Sequence, residues 1–316
     1  MEQFFDVIIV GGGPCGLSAG VYAGRSGLKT LLIERFACGG QILNTFEIKN
    51  YPGFLNIGGP DLAQKMQNQI VDLGVKVKYE TVVDFDFSGD IKVVKTKKNS
   101  YFAKTIILAL GAKPKTLGLK NEAQFVGKGV SYCSICDGAF FKNKVVAMVG
   151  GGNSAIEDIP YLTNLASKAY LINRSKKYRA QQILLDNLQG LKDSGKLQVL
   201  EDTVVTELVG QNTLQAIKVK NVLDNSEQTL KVDGLFVEIG RAPDTELLAG
   251  KLVLDNYGYI VTDANLSTSV QGVFAGGDVI QKSLRQIVTA SSDGAICATS
   301  AFNFLQKKLW KIKFML

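Results

Sequence analysis

Two cysteines three positions apart, Cys133 and Cys136, followed at once by an acid, Asp137, are the residues of this chain whose types and spacing promise chemistry. A C-x-x-C pair standing alone has three readings: half a zinc site, a redox disulfide, or coincidence. Structural zinc takes four ligands of Cys, His or carboxylate type. The chain has no histidine and no second C-x-x-C, so the zinc reading is poorly supplied. The same absence excludes Ser-His-Asp and Cys-His hydrolytic mechanisms. Five cysteines in 316 residues are too few and too irregularly spaced for a disulfide framework, which favours a reducing, cytoplasmic setting where such a pair is catalytic or metal-binding.

The dithiol lies just upstream of one of two glycine-rich turns. The first, Gly11-x-Gly13-Pro14-x-Gly16, follows a strand-like run, Phe4 to Val10, and opens a helical stretch reaching Ser26. A strand before and a helix after raise this motif above a bare glycine pattern. The glycines allow a tight turn and close backbone approach, and the helix start offers free N–H groups to a pyrophosphate. Eighteen residues beyond Gly16, Glu34 ends the next strand, placed to accept hydrogen bonds from ribose hydroxyls. The second turn, Gly150-x-Gly152-Asn153-Ser154-Ala155, repeats the layout between a strand, Val145 to Val149, and a helical stretch, Ile156 to Leu165. Here the residue eighteen beyond Ala155 is Asn173, not an acid, and Arg174 and Arg179 follow. Removing the carboxylate removes repulsion, and arginine forks onto phosphate oxygens, so a phosphorylated nicotinamide, NADPH, is expected over NADH.

The elements that must position these residues come twice. Each half runs strand, glycine turn, helix, strand, then a β-rich meander, then an apolar strand closed by Gly-x-x-Pro. In the first half the meander is Val82 to Phe87, Ile91 to Thr96 and Tyr101 to Ala103, and the closing strand is Thr105 to Leu110. The second half adds a helix-like Gln181 to Asp193 and closes with Leu235 to Ile239. After Pro243 there remain 73 residues without a fingerprint of their own, too few for a robust separate domain. They are expected to complete the first domain, so that the second is an insertion. The fold expected is α/β: two Rossmann-like three-layer dinucleotide-binding domains, 1–113 with 244–316 and 114–243, the second inserted into the first. Within the leftover segment, Thr268 to Asp278 is a strand ending in Gly276-Gly277-Asp278, a close backbone approach with one carboxylate. With Gly11 to Gly16 it suits the ribityl and phosphate portion of FAD.

Composition adds exclusions. The chain is 46% apolar and 21% charged, ordinary for a globular protein, and no apolar run nears the roughly 18 residues of a membrane span. The net charge of +7 has no basic, aromatic-interleaved module behind it, so nucleic acid is not expected. The closing Lys307 to Phe314 reads as a basic amphipathic segment or an edge-packed terminus. Cys15 and Cys297 read as packing, and Cys38 as a spare thiol.

Over essentially its whole length the chain resembles the low-molecular-weight, bacterial type of thioredoxin reductase. The resemblance rests on Gly11 to Gly16, Gly39-Gly40-Gln41, Asn50-Tyr51-Pro52-Gly53, Cys133 to Asp137, Gly150 to Ala155, and Gly276-Gly277-Asp278 with Arg285-Gln286. It implies FAD in the discontinuous domain, with Gly40, Gln41, Asn50, Gly277, Asp278, Arg285 and Gln286 joining the first turn, and NADPH in the insert. It further implies that electrons pass from NADPH through FAD and the Cys133–Cys136 disulfide to oxidised thioredoxin, that Cys136 faces the flavin while Cys133 attacks the partner, and that Asp137 carries the proton. A large rotation of the insert and a homodimer are part of the same pattern. The phosphate-binding run departs from it: Asn173-Arg174-Ser175 stands where a histidine and two arginines are usual. Two alternatives stay beside this reading, a flavin-dependent dithiol oxidase on the same scaffold and a non-catalytic flavin-binding regulator.

Overall fold

The computed structural model describes residues 3–45 and 47–313, with the backbone alone for Asn44 and 308–313. The side chains of the basic tail beyond Lys307 lie outside the described residues. The chain divides into two compact units, Met1–Lys113 with Ala242–Leu316, and Pro114–Arg241. The two connections, Ala112–Pro114 and Arg241–Pro243, pair as a two-stranded sheet, and the second crossing falls two residues before the Pro243 boundary set from the sequence.

In the first unit the strand Phe4–Val10 is central, flanked in parallel by Thr30–Glu34 and Ser100–Leu108, with Lys76–Tyr79 beyond the former. Strands covered on both faces carry continuous apolar runs, and Val7 to Val10 and Leu31 to Ile33 are fully or almost fully buried. The sequence split Tyr101–Ala103 from Thr105–Leu110, but Ser100–Leu108 is one strand. Its first half pairs antiparallel with Lys92–Thr96 and alternates in burial. Its second half pairs in parallel with Val273–Ala275 and is buried throughout. A change of neighbour, not a break in the backbone, changes the pattern. The C-terminal segment thus supplies a strand to this sheet and then the helix Ile287–Lys313, which crosses the helix Pro14–Arg25 closely. A Cβ on Gly294 would come within 2.1 Å of the Cys15 carbonyl oxygen, and Ser18 Oγ donates to the Ser291 carbonyl at 2.6 Å.

The second unit has Val145–Val149 at its centre, with Lys168–Ile172 and Gly234–Val237 as parallel neighbours and Leu197–Leu200 and Val130–Ser131 at the edges. An antiparallel sheet, Thr203–Gly210, Leu214–Asn221 and Glu227–Lys231, completes it. In both units the strand leading into the glycine turn has its successor on one side and the post-meander strand on the other. Neighbouring connections therefore leave in opposite directions at the turn, which opens the crevice where α/β sheets bind ligands. The expected helix Gln181 to Asp193 is two short ones, Gln182–Asp186 and Gln189–Asp193. The chain bends at Asn187 and Leu188, which drives the Leu188 side chain into the core.

Candidate active site

The strand Val130–Ser131 delivers the dithiol, and Cys133 and Cys136 are joined as a disulfide across the four-residue helix Ser134–Asp137. Cys133 is the extended N-cap residue, and its Sγ accepts the Cys136 N–H at 3.2 Å. Cys136 and Ile135 are exposed, Cys133 is half-buried and Ser134 is fully buried. Asp137 is half-buried. Burial raises its carboxyl above the ordinary range, and the Ser131 hydroxyl, donating to Oδ2 at 2.6 Å, draws it partly back. Ser131 Oγ in turn accepts the Cys133 N–H at 3.1 Å, so acid and cysteine share one anchor. Beyond Gly138, Phe140 and Tyr161 are exposed, and the Tyr161 ring fills the space a Cβ on Gly138 would need.

The first glycine turn has the geometry its residues require. Gly11 takes φ +106° with its missing Cβ pressed toward the Ala109 carbonyl, and a Cβ on Gly16 would lie 1.8 Å from the Gly11 oxygen. Gly13 caps the helix, Pro14 fills its first turn, and a Cβ on Gly13 would meet nothing within 4 Å. Glu34 sits beneath the turn: Oε2 accepts the Gly12 N–H at 2.7 Å, and Oε1 accepts the N–H groups of Arg35 and Phe36. Gly40 comes against Gly13, Gly39 donates its N–H to Gly12 O at 2.7 Å, and Gln41 donates through Nε2 to Ala112 O. Asn50 and Gln286, distant in sequence, meet at 3.1 Å. Gly277, at φ +78°, donates its N–H to Asp293, which also pairs with Lys282, and half-buried Asp278 follows. Arg285 is turned onto its own loop: its guanidinium donates to the carbonyls of Lys282 and Ile280 and stacks over Tyr259 at 4.4 Å.

The second turn repeats the arrangement with different chemistry. Gly152 caps its helix with open space where a Cβ would point, and Asn153 Oδ1 accepts the Gln181 N–H. Ser154 is exposed in the helix's first turn. Asn173 lies under Gly151 as Glu34 lies under Gly12, its Oδ1 2.5 Å from where a Gly151 Cβ would be. Arg179 donates its backbone N–H to Gly151 O at 2.8 Å, and Arg174, Lys176, Lys177 and Arg179 are all exposed on this one loop.

Three acids of this unit escaped the sequence reading. Glu122 is 3% exposed and accepts the N–H groups of Leu117 and Gly118 and the hydroxyl of Tyr132, the residue before Cys133. Asp158 lies half-buried on the fingerprint helix, raised by burial. Glu238 follows the strand Gly234–Val237, and burial and the Asp158 charge push it up to about 7. Asp158 could have been noticed, since it falls at helical spacing with buried Ala155 and Leu162. Cys15, Cys38 and Cys297 are buried, Cys38 included, and burial raises all three thiols.

Two dinucleotide-type turns and a disulfide beside a raised acid define a disulfide oxidoreductase. The family model of the pyridine nucleotide-disulphide oxidoreductases matches residues 5–294. The thioredoxin reductase of Listeria innocua is 42% identical over 307 residues, covering 97% of this chain and 95% of that protein, and that of Bacillus subtilis is 40% identical over 97% and 96%. The crystal structure of thioredoxin reductase from Streptococcus pyogenes superposes with a TM-score of 0.91 at 40% identity, over 97% of this chain and 100% of that one. The chain belongs to the pyridine nucleotide-disulphide oxidoreductase family, among its thioredoxin reductases.

Proposed function

We propose that the chain reduces oxidised thioredoxin with electrons from NADPH, using FAD held by the first unit, NADPH held by the second, and the Cys133–Cys136 pair. The observation that carries this is the pairing of that disulfide with Asp137, half-buried and sharing the Ser131 anchor with Cys133. FAD, when bound, supplies a two-electron carrier, and NADPH supplies hydride. The first turn fits a pyrophosphate because Gly13 faces open space at a helix start, with Gly11, Pro14 and Gly16 shaping the approach. Glu34, Gly40, Gln41, Asn50, Gly277, Asp278 and Gln286 would hold FAD together with that turn. The guanidinium of Arg285 orders its own loop there. Gly150, Gly152, Asn153 and Ser154 offer the second cradle, and Arg174 and Arg179 offer forks for a 2′-phosphate.

Once the disulfide is reduced, the Cys133 thiolate attacks the thioredoxin disulfide, forming a mixed disulfide and releasing one thioredoxin thiolate. Cys136 then attacks Cys133 Sγ, restoring the internal disulfide and releasing the second thioredoxin sulfur. Asp137, raised by burial, holds a proton for the leaving sulfur to higher pH than a free aspartate would. Exposed Ile135, Phe140 and Tyr161 around the dithiol give a protein partner apolar surface to cover. A homodimer in the cytoplasm fits this reading. Among the described residues no helix is long and apolar enough to cross a membrane.

The test is anaerobic: bleaching of the bound flavin is followed with NADPH and with NADH, and a thioredoxin is then added. Fast bleaching by NADPH, slower bleaching by NADH and re-oxidation by thioredoxin are expected. Failure of NADPH to bleach a flavin that a small dithiol does bleach would favour the oxidase, and unchanged activity in Cys136→Ser would favour the regulator.

A further inference from the structure

The residue before Cys133 is fastened at both ends, and no step above uses either fastening. Tyr132 is half-buried, its side chain packed on the core that includes Phe125 and Val130. Its hydroxyl donates to Glu122 Oε1 at 2.7 Å. The same carboxylate accepts the Leu117 N–H at 3.0 Å and the Gly118 N–H at 2.9 Å, just beyond the connecting strand Ala112–Pro114. At its other end, the Tyr132 carbonyl oxygen accepts the Arg241 guanidinium at 3.2 Å, and Arg241 opens the second connecting strand, Arg241–Pro243. The two strands pair with each other, and the Lys115 N–H donates to the Gly240 carbonyl at 2.9 Å alongside them. One residue therefore ties both connections to the dithiol, the first through Glu122 and the second through Arg241.

What these ties hold is the start of the dithiol turn. The Tyr132 carbonyl belongs to the peptide that carries the Cys133 N–H, and that N–H donates to Ser131 Oγ at 3.1 Å. The Arg241 guanidinium and the Ser131 hydroxyl thus grip opposite sides of one peptide bond. Because the peptide is planar, fixing its oxygen and its N–H fixes the direction from which the chain enters Cys133. We propose that Tyr132 is a positioning residue: held by Glu122 and Arg241, it fixes the Tyr132–Cys133 peptide, and with it the Cys133 side chain, to the two connections between the units. Attack by Cys133 needs its sulfur aimed along the partner's S–S bond, and small displacements of a positioned group cost rate steeply. Neither tie touches sulfur, so both act by orientation alone. The peptide is held only while both ties hold, so releasing one frees it and releasing the second adds little.

The proposal rests on the attacking role of Cys133 given above, but the first arm of its test needs neither nicotinamide nor thioredoxin. Amide exchange of the full-length oxidised protein is followed by mass spectrometry, and the peptide spanning 130–138 is compared with the strand Val145–Val149. The N–H groups of Cys133, Cys136 and Asp137 all bond within that turn, so their exchange reports whether it holds. Tyr132→Phe removes only the hydroxyl, and Arg241→Ala removes the guanidinium. In each, exchange in 130–138 is expected to rise about three- to tenfold, the effect of one hydrogen bond lost, with Val145–Val149 unchanged. The double variant should match the faster single one. In the second arm, each single variant should lower kcat for thioredoxin reduction by a similar factor, with KM for thioredoxin and flavin bleaching by NADPH unchanged. Exchange that rises equally in Val145–Val149, as a purely structural role gives, overturns the proposal. So does unchanged exchange in 130–138, a double variant whose effect is the product of the singles, or an undiminished kcat. The expected exchange pattern in a protein whose wild type turns over no thioredoxin would fault the function proposed above and leave the two-ended hold on Tyr132 standing.

Discussion

Glu122 illustrates how one residue supports the site without touching it. Its carboxylate gathers the N–H groups of Leu117 and Gly118 and the Tyr132 hydroxyl, so the start of the second unit and the strand into Cys133 hang from one buried side chain. Removing it strands those donors without solvent. Glu122→Ala should cost about 3 kcal/mol, read as a lower denaturation midpoint, while Glu122→Gln, which can still accept, should cost less. An unchanged midpoint in the alanine variant would show that water replaces the carboxylate. Cys133, Cys136, Asp137 and the fingerprint glycines were legible because their meaning lies in spacing along the chain. Glu122, Asp158 and Glu238 were not, because their burial comes from strands and helices that meet only on folding. Arg285 shows the converse: its family motif was visible, but not that its guanidinium would be spent on its own loop.

At the scale of elements, the long strand and the close helix crossing explain how the C-terminal segment becomes part of the first unit. Ser100–Leu108 read as two strands because periodicity reports what covers a strand, and the cover changes midway from a half-open meander to Val273–Ala275. The break at Asn187 and Leu188 was hidden for a related reason, since burial of Leu188 overrides a run of good helix formers. The crossing of Pro14–Arg25 and Ile287–Lys313 depends on a residue the motifs did not single out. Gly294→Ala would drive a methyl into the Cys15 carbonyl and the Ala19 nitrogen, both backbone and unable to yield cheaply. It should lower stability by about 2 kcal/mol or more and raise amide exchange in both helices, whereas Gly190→Ala, where a Cβ meets nothing within 4 Å, should be neutral or stabilising. Equal melting temperatures for Gly294→Ala and wild type would mean the helices separate more easily than their packing implies.

For the whole molecule, the half-buried acids of the second unit are raised while acids of the first are lowered, Asp224 on an exposed turn of the second unit being lowered as well, and the two units should respond differently to pH. In the first unit burial pushes Glu80 up, but the hydroxyls of Thr96 and Tyr101 and the amide of Asn99 outweigh it, leaving the carboxyl below its usual range. Asp84, bonded to Lys251 and Lys95, and Asp86, bonded to Ser88, are lowered too. Groups lowered on folding stabilise above their unfolded pKa, near 4, and lose that contribution as pH falls further. In the second unit Asp137, Asp158 and Glu238 are raised, chiefly by burial. Groups raised on folding stabilise fully below the unfolded pKa, and the contribution is lost as pH climbs through the folded value. For Glu238, raised from 4.5 to about 7, the window runs between those two values and the loss is about 3 kcal/mol. Amide exchange resolved by unit should therefore show Pro114–Arg241 less protected at pH 8 than at pH 5, after correction for intrinsic rates, while the first unit changes little until the pH falls below about 4. Glu238→Gln should flatten most of the upper window, because the neutral amide has no proton to lose. If protection in the second unit holds constant from pH 5 to 8, or if the glutamine variant keeps the wild-type slope, then Glu238 is better solvated than its burial indicates and is already ionised throughout.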